Sequence, residues 1–228
     1  MAMNRDWQNW TTPVIRALEK DWESSMHKRK TLYKTLEMLP NENVKTYKEV
    51  MGATFTNLST ILDAGAGIGQ DYPKLKELGY DYTGIDVTSE MVEYARKKHP
   101  DGRFDVGDIY NLPFNDQQFD VVLCHDVLIH IPDFEKALAE LWRVTKKFLV
   151  IKISYAVLFP TRYIRDHALN ILNIHYNVAE FELAMWNLIG AKNVVLIDVE
   201  DDEISGGFDN HQIFVAVRSE KSFKDVKA

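Results

Sequence analysis

The stretch ILDAGAGIGQ (61–70) has the residue pattern in this chain most able to bind a ligand. An apolar run reaches the acid Asp63, and three glycines then follow at alternate positions: Gly65, Gly67 and Gly69. Glycine allows a sharp turn at the carboxyl edge of a sheet and lets a ligand come close to the backbone. The pattern predicts a nucleotide-like ligand above this turn, although glycine also serves any tight connection between a strand and a helix.

The spacing of the glycines bears on the kind of nucleotide. The dinucleotide fingerprint is GxGxxG, whereas this turn reads GxGxG and has Gln70 at the place of the last glycine. A carboxylate at Asp63 would repel a pyrophosphate but attract an ammonium or sulfonium group. The sequence therefore favours a cationic nucleoside, with a nicotinamide-dependent oxidoreductase as an alternative.

Two more acids follow the next two apolar segments. Asp86 ends YTGID, 17 residues after Gly69, where a carboxylate can accept hydrogen bonds from both ribose hydroxyls. Asp108 ends RFDVGD, placed to meet an adenine amine, with Ile109 beside it as an apolar wall. Acids ending three successive strands are hard to explain by packing, because unpaired carboxylates at a strand edge lose hydration without an apolar gain.

The surrounding elements alternate between short apolar runs and helical segments. Strands are predicted at 61–64, 82–86, 103–108, 119–124 and 148–154, and helices at 70–78, 89–98 and 132–144. This alternation predicts an α/β fold with a doubly wound, mostly parallel sheet. The first fifty or so residues have helical spacing of apolar residues and are predicted to form a helical arm.

The end of the chain breaks the alternation. We expect an irregular segment at 155–175, a helix near 179–189, and strands at 193–199 and 211–218. The loop between these strands lacks helical periodicity, so it favours an antiparallel hairpin over a parallel crossover. The acidic run Glu200 to Glu203 in that loop is interpreted as a solvated turn, since calcium-ligand spacing is missing.

Composition limits the partners and the compartment. The 228 residues carry 27 basic and 34 acidic side chains, a formal charge of −7, which disfavours nucleic acid as the main substrate. One cysteine, Cys124, cannot form an internal disulfide, so a reducing compartment, the cytoplasm, is expected. The most apolar stretch, 148–160, is short and interrupted by Lys152, so no membrane insertion is expected.

Three motifs together resemble one family. LDAGAGIG, YTGIDVTSEMVEYARKK and GDIYNLPFNDQQFDVVLCHDVLIHIPD, with the late helix and terminal strands, are similar to class I S-adenosylmethionine-dependent methyltransferases. The likeness is greatest to the small-molecule group that includes the ubiquinone and menaquinone biosynthesis methyltransferases. It implies a Rossmann-like sheet of seven strands whose last strand is antiparallel. The implied division is a helical arm or lid at 1–57, a cofactor domain at 58–220 with a lid insertion at 155–175, and a disordered tail at 221–228.

The resemblance also implies how the cofactor, S-adenosylmethionine, is held. The methionyl end would face Asp63, Gly65 and Gly67, the ribose Asp86, and the adenine Asp108, and its amine would meet backbone groups of Cys124 and His125. Val87 and Ile109 would stack on either side of the base. HDVLIH stands where relatives often have small residues near the start, so His125 and Asp126 are candidates for a role specific to the substrate.

Methyl transfer from a sulfonium is an in-line displacement with an activated leaving group, so a base is needed only for a weakly acidic acceptor such as a phenol. Histidine titrates nearest neutral pH, and the candidate bases are His125, His130 and His175. Asp126 and His130 have a spacing that could hold a metal on a helix, but no third ligand is recognisable, so no metal is expected.

The candidate substrate residues lie outside the shared core. They are Trp10, Tyr155, Arg162, His167 and Tyr176. The N-terminal arm and the 155–175 segment would form a lid that determines the acceptor, a small molecule methylated on oxygen, nitrogen or carbon by a monomer or homodimer. A protein that binds the cofactor without catalysis remains a further alternative.

Overall fold

A computed structural model describes five stretches of the chain: residues 60–156, 160–166, 171–190, 194–198 and 210–218. The predicted helical arm, the acidic run at 200–203 and the tail at 221–228 lie outside these residues. The candidate substrate residues Trp10 and His167 lie outside them as well.

Outside the segment 155–175, the elements follow the predicted order. The strands are β1 (Thr60–Ala64), β2 (Asp81–Asp86), β3 (Phe104–Val106), β4 (Phe119–His125), β5 (Thr145–Ala156), β6 (Arg162–Asp166), β7 (Ile171–His175), β8 (Val194–Asp198) and β9 (Asn210–Val217). The α-helices are α1 (Tyr72–Glu77), α2 (Ser89–Lys98), α3 (Phe134–Val144) and α4 (Val178–Ile189), and a short 3-10 helix spans Leu128–His130.

Within the described residues, the main sheet has the strand order β3-β2-β1-β4-β5-β9-β8. Strands β1 to β5 run parallel, whereas β9 pairs antiparallel with both β5 and β8. The predicted mostly parallel sheet with an antiparallel last strand is therefore confirmed. No α-helix in the described part of the chain is long and apolar enough to cross a membrane.

Helices cover both faces of this sheet because its inner strands are apolar on both sides. One face packs on α3 and α4 through buried residues such as Leu62, Leu138 and Phe181. The opposite face packs on α1 and α2 through residues such as Ile61 and Leu75. Parallel strands end at a common edge, so the residues that follow β1, β2, β3 and β4 are brought together there.

Two sequence expectations differ from the structure. Strand β3 ends at Val106, so Asp108 lies in the loop beyond the strand instead of at its end. The segment at 155–175, expected to be irregular, contains the antiparallel pair β6 and β7, with Arg162 opposite His175. These two strands satisfy their backbone hydrogen bonds with each other, and their sequences lack the two-residue turn that reveals a hairpin.

Candidate functional site

The glycine-rich turn after β1 is held against two neighbouring strand ends. The amides of Gly65 and Ala66 each donate to the carbonyl oxygen of Ile85 at 2.8 Å. Gly65 has a φ of 97°, and a Cβ at this position would lie 2.1 Å from Cγ2 of Val127. Only glycine suits both this left-handed backbone and this close approach. The turn therefore packs directly on the residues that follow β4.

Asp86, at the end of β2, joins the turn to its own strand. Its carboxylate accepts hydrogen bonds from the amides of Gly67 and Thr88, both at 2.9 Å. Burial raises the pKa of Asp86, while these two donors oppose that rise. A carboxylate offers about four acceptor sites, so two more donors can be accommodated. The geometry suits a pair of hydroxyl groups presented to Asp86 above the turn.

Asp63 lies beneath the turn, with only 1% of its surface exposed. The hydroxyl of Tyr82 donates to its carboxylate at 2.7 Å. Burial, reinforced by the nearby charge of Asp71, raises the pKa of Asp63 to about 7. A carboxyl group with this pKa gains a full negative charge when a cation approaches, so the environment of Asp63 favours a cationic ligand.

His125, at the end of β4, forms ion pairs with two aspartates. Its Nδ1 lies 2.8 Å from Asp71, which immediately precedes α1, and its Nε2 lies 3.5 Å from Asp126. Burial alone would lower the pKa of His125, but the carboxylates, Asp71 foremost, raise it to about 9 despite Lys152 nearby. The ring is a charged donor at neutral pH, which argues against the predicted role of His125 as a general base.

The neighbouring cysteine has no reactive thiolate. Cys124 is fully buried in the core, and burial raises the pKa of its thiol. Any contact between Cys124 and a cofactor would therefore use its backbone, as the sequence analysis predicts.

The loop after β3 brings an apolar edge beside Asp86. The amide of Gly107 donates to the carbonyl oxygen of Asp86 at 3.0 Å. Asp108 accepts from the amide of Tyr110 at 2.8 Å, Ile109 is partly buried, and Val87 is 40% exposed. The residues predicted to contact the adenine thus follow two adjacent strands, β2 and β3. A backbone hydrogen bond joins the segments at the ends of these strands.

This loop is tethered to α3. The guanidinium of Arg143 donates to the carbonyl oxygens of Leu112 and Phe114, at 3.0 and 2.8 Å, and forms two bonds of 2.8 Å with Glu140. Glu140 in turn accepts from the amide of Leu112 at 3.0 Å. The part of this loop at Leu112 and Phe114 is therefore anchored to α3.

The other histidine candidates lie farther toward β7. Nδ1 of His130 lies 3.0 Å from the carbonyl oxygen of Leu172, so it donates, and burial lowers the pKa of this ring. His130 is thus neutral at pH 7, with Nε2 as its basic nitrogen. His175 is the last residue of β7 and is half-buried.

The candidate substrate residues are dispersed. Tyr176 is 3% exposed, and its hydroxyl lies 3.1 Å from the carbonyl oxygen of Leu128 and 3.3 Å from that of Ile131. Through these contacts, Tyr176 anchors the end of β7 to the turn after β4. Arg162 is exposed at the start of β6, and Tyr155 belongs to β5. Their contact with a substrate stays a prediction.

Sequence reasoning missed three polar residues of this edge. In the sequence, Tyr82 and Asp71 belong only to a predicted strand and a predicted helix start, and Lys152 is only the charge that interrupts an apolar stretch. Lys152 is 3% exposed, and its ammonium lies 2.8 Å from Asp126. A lysine inside an otherwise apolar strand was the available signal, because a buried ammonium requires a buried acid. Tyr82 and Asp71 had no comparable signal.

Comparisons with known proteins identify relatives of this chain. Residues 62–149 match the family described as a methyltransferase domain. An uncharacterized methyltransferase of Bacillus subtilis, YcgJ, is 31% identical over 173 residues, which cover 70% of this chain and 68% of that protein. The demethylmenaquinone methyltransferase of Renibacterium salmoninarum is 34% identical over 105 residues, 45% of this chain and 44% of that enzyme. The match thus spans under half the length of this curated relative.

A solved structure has a similar fold. The 1,6-didemethyltoxoflavin-N1-methyltransferase of Burkholderia thailandensis, crystallised with 1,6-didemethyltoxoflavin and S-adenosylhomocysteine, superposes with a TM-score of 0.68 at 19% identity. The match covers 92% of both chains. At this identity, the likeness concerns the fold.

Proposed function

The chain belongs to the class I S-adenosylmethionine-dependent methyltransferases, and on that premise we propose that it transfers a methyl group to an oxygen, nitrogen or carbon atom of a small molecule. One observation carries the proposal: the Asp86 carboxylate and the glycine turn are hydrogen-bonded to each other above the buried Asp63. This combination offers acceptors for a ribose and a negative charge for a cation.

Each part of the site has a distinct task in this proposal. Asp86 accepts the ribose hydroxyls, and Asp63 attracts the charged methionyl end across the turn. Val87 and Ile109 provide apolar contacts for the adenine, and Asp108 meets its amine. The amides of the turn and the backbone at the end of β4 orient the methionyl group. Support comes from the convergence of these residues at one sheet edge.

The protein contributes mainly by alignment. S-adenosylmethionine supplies a methyl group on a sulfonium that leaves as a neutral thioether. The chain needs to hold the acceptor in line and exclude water, which accounts for much of the rate of such a displacement. If the acceptor is a phenol or alcohol, Nε2 of the neutral His130 is the better base, and His175 is the second candidate.

The acceptor is proposed to be a small molecule received by a monomer or homodimer in the cytoplasm. The segment 155–175 and the N-terminal arm are proposed to cover the acceptor and select it, with Arg162 offering a charge for an acidic group. The net charge of −7 disfavours a nucleic acid acceptor.

Binding and transfer are tested separately. Isothermal titration with S-adenosylhomocysteine should give saturable heat, and S-adenosylmethionine with a labelled methyl group should label an acceptor in a screen of amines, phenols, carboxylates and quinone-like compounds. Binding without transfer would favour the non-catalytic alternative. Absence of binding, together with enhanced nicotinamide fluorescence on mixing with a reduced dinucleotide, would favour the oxidoreductase.

The raised pKa of Asp63 predicts that S-adenosylhomocysteine binds more tightly as the pH rises to about 7, and that the affinity then levels off. In the free protein, Asp63 is protonated below this pKa. The ammonium group of the ligand stabilises the ionised form of Asp63, so binding below pH 7 must release the proton of this carboxyl group. The affinity should therefore fall by up to about tenfold per pH unit below 7, measured by titration near pH 6, 7 and 8.

The control for this dependence is Asp63→Asn, which keeps the shape of the side chain and an acceptor for Tyr82 but cannot ionise. Its affinity should be lower than that of the wild type above pH 7 and nearly constant below it. An unchanged pH dependence in this variant would assign the proton to another group.

A further inference from the structure

Four side chains of alternating charge form a row at the carboxyl edge of the sheet, which we call the edge ion row: Asp71, His125, Asp126 and Lys152. Asp71 Oδ2 lies 2.8 Å from His125 Nδ1, Asp126 Oδ2 lies 3.5 Å from His125 Nε2, and Lys152 Nζ lies 2.8 Å from the same oxygen of Asp126. Lys152 and His125 are paired neighbours on β5 and β4. The row thus connects the start of α1 to two central strands.

The members of the edge ion row are removed from water to different degrees. The exposed side-chain fractions are 8% for Asp71, 18% for His125 and 4% for Lys152, against 31% for Asp126. Removing one partner from a buried ion pair leaves an uncompensated charge, which the surrounding structure must move to hydrate. Asp71 is the member nearest the glycine turn, so loss of His125 would act first on that turn.

The glycine turn is attached to the end of β4 at both of its ends. At its start, Gly65 packs so closely on Val127 that no Cβ fits between them. At its end, Asp71 is paired with His125. Between these points, the amide of Gly67 binds Asp86. Of the two β4 attachments, the one at Gly65 is a packing contact, whereas the one at Asp71 depends on a single ion pair.

We propose that His125 is a positioning residue that, through Asp71, fixes the glycine turn relative to the end of β4 in the geometry that binds the cofactor. The inference rests on the proposed function, since the turn and the end of β4 are the two segments proposed to hold the methionyl group. His125 acts on the ligand through Asp71 and not as an acceptor of the substrate proton.

The charges that face the imidazole support this role. The carboxyl groups of Asp71 and Asp126 lie against its two nitrogens, that of Asp63 is nearby, and Lys152 brings the opposing positive charge. With two aspartates beside its two nitrogens, the ring holds both protons at neutral pH and can only donate. Asp126 itself has a φ of 54°, uncommon for a residue other than glycine. Lys152 holds it there through its ammonium and through its carbonyl oxygen, which accepts from the amide of Asp126 at 3.0 Å.

A purely structural role would predict a loss of stability alone, and β4 offers a matched control. Asp120, at the opposite end of the same strand, is 5% exposed and lies 3.4 and 3.2 Å from the ammonium groups of Lys146 and Lys147. It also accepts from Thr60. Asp120→Asn removes the charge of a buried carboxylate that contacts two more exposed lysines, far from the glycine turn.

The experiment compares binding with stability in the full chain. S-adenosylhomocysteine is titrated calorimetrically into the wild type and into H125A, H125N, D71A, D71A/H125A and D120N at pH 7.5, and each protein is unfolded in urea. We expect H125A and D71A each to raise the Kd about tenfold or more, and the double variant to be no weaker than the weaker single variant, because the two residues form one contact.

Asparagine at position 125 can place its amide nitrogen near the position of Nδ1, so H125N should restore binding to within about threefold of the wild type. D120N should lower the urea midpoint and leave the Kd unchanged. In addition, the 15N resonances of both ring nitrogens of His125 should have the protonated type at pH 7.5.

Each outcome is decisive. If the wild type binds and H125A binds within twofold of it, His125 does not position the turn, while the proposed function stands. Additive losses in D71A and H125A would likewise overturn the inference. If the wild type fails to bind S-adenosylhomocysteine, the proposed function fails and the inference fails with it. Should H125A not fold, the isosteric D71N decides: unchanged binding in D71N overturns the inference, and weakened binding supports it.

Discussion

Replacing Asp86 by alanine is expected to weaken S-adenosylhomocysteine binding by about 100-fold or more, the largest effect on binding among these predictions. The variant loses the proposed acceptor of two ribose hydroxyls and also the acceptor that holds the Gly67 amide at 2.9 Å. Hydrogen bonds to charged groups contribute about 1.5 to 3 kcal/mol each, so losing two of them corresponds to about 3 kcal/mol or more. Isothermal titration measures the change directly.

The matched control is Asp81→Ala. Asp81 begins the same strand, β2, but it is exposed and pairs with Arg103 at the opposite edge of the sheet. The variant Asp81→Ala removes one negative charge, as Asp86→Ala does, so any effect of net charge on ligand binding is reproduced. The Kd of this variant should stay within about twofold of the wild type, as is usual for an exposed ion pair. Equal losses in both variants would contradict the assignment of Asp86.

Replacing Gly65 by alanine is expected to lower the free energy of unfolding by about 2 to 5 kcal/mol and to weaken cofactor binding. A left-handed backbone at a non-glycine residue costs about 1 to 2 kcal/mol, and forcing an added methyl group into a packed site costs about 1 to 3 kcal/mol more. Here the added Cβ would meet Cγ2 of Val127 at 2.1 Å. Urea denaturation measures the change, which is a large part of the stability of a typical domain.

The variant Gly79→Ala separates the cost of the left-handed backbone from the cost of the clash with Val127. Gly79 has a φ of 86°, close to the 97° of Gly65, but a Cβ there has no neighbour within 4 Å. This variant should lose only the backbone part, about 1 to 2 kcal/mol. Adding Val127→Ala to Gly65→Ala should recover part of the loss, because the clashing Cγ2 is removed. A Gly65→Ala protein as stable as Gly79→Ala would show that the turn can move away from β4.

The identity of the segments that meet at the cofactor edge was predictable from the sequence. Continuous apolar runs ending at Asp63 and Asp86 indicated buried parallel strands, and parallel strands end at one edge. The glycine spacing added the turn between them. These signals are local, since they depend on residue types within a few positions, and the fold places them as expected.

The charge states at that edge were not predictable in the same way. Tyr82 reaches Asp63 from 19 positions away, and His125 reaches Asp71 from 54. A pKa depends on burial and on the charges nearby, which only the packing of distant segments creates. Residue type alone therefore indicates a base at His125, whereas its carboxylate partners raise its pKa to about 9.

Local periodicity also misjudged the segment after β5. Its two strands, β6 and β7, are short and pair with each other, and Ile174 of β7 is buried in the core. Tyr176 illustrates the same limit, because its ring is buried against the turn after β4, which lies more than forty positions earlier.

The sequence by itself determined the class of fold, the family resemblance and the acids and glycines offered to a cationic nucleoside, because strand ends and glycine turns are encoded locally. The tertiary structure decided which of those acids has a pKa raised by burial, which histidine is held between two aspartates, and how the glycine turn is attached to β4. Those properties arise from desolvation and Coulomb interactions between groups that only the folded chain brings within a few ångströms.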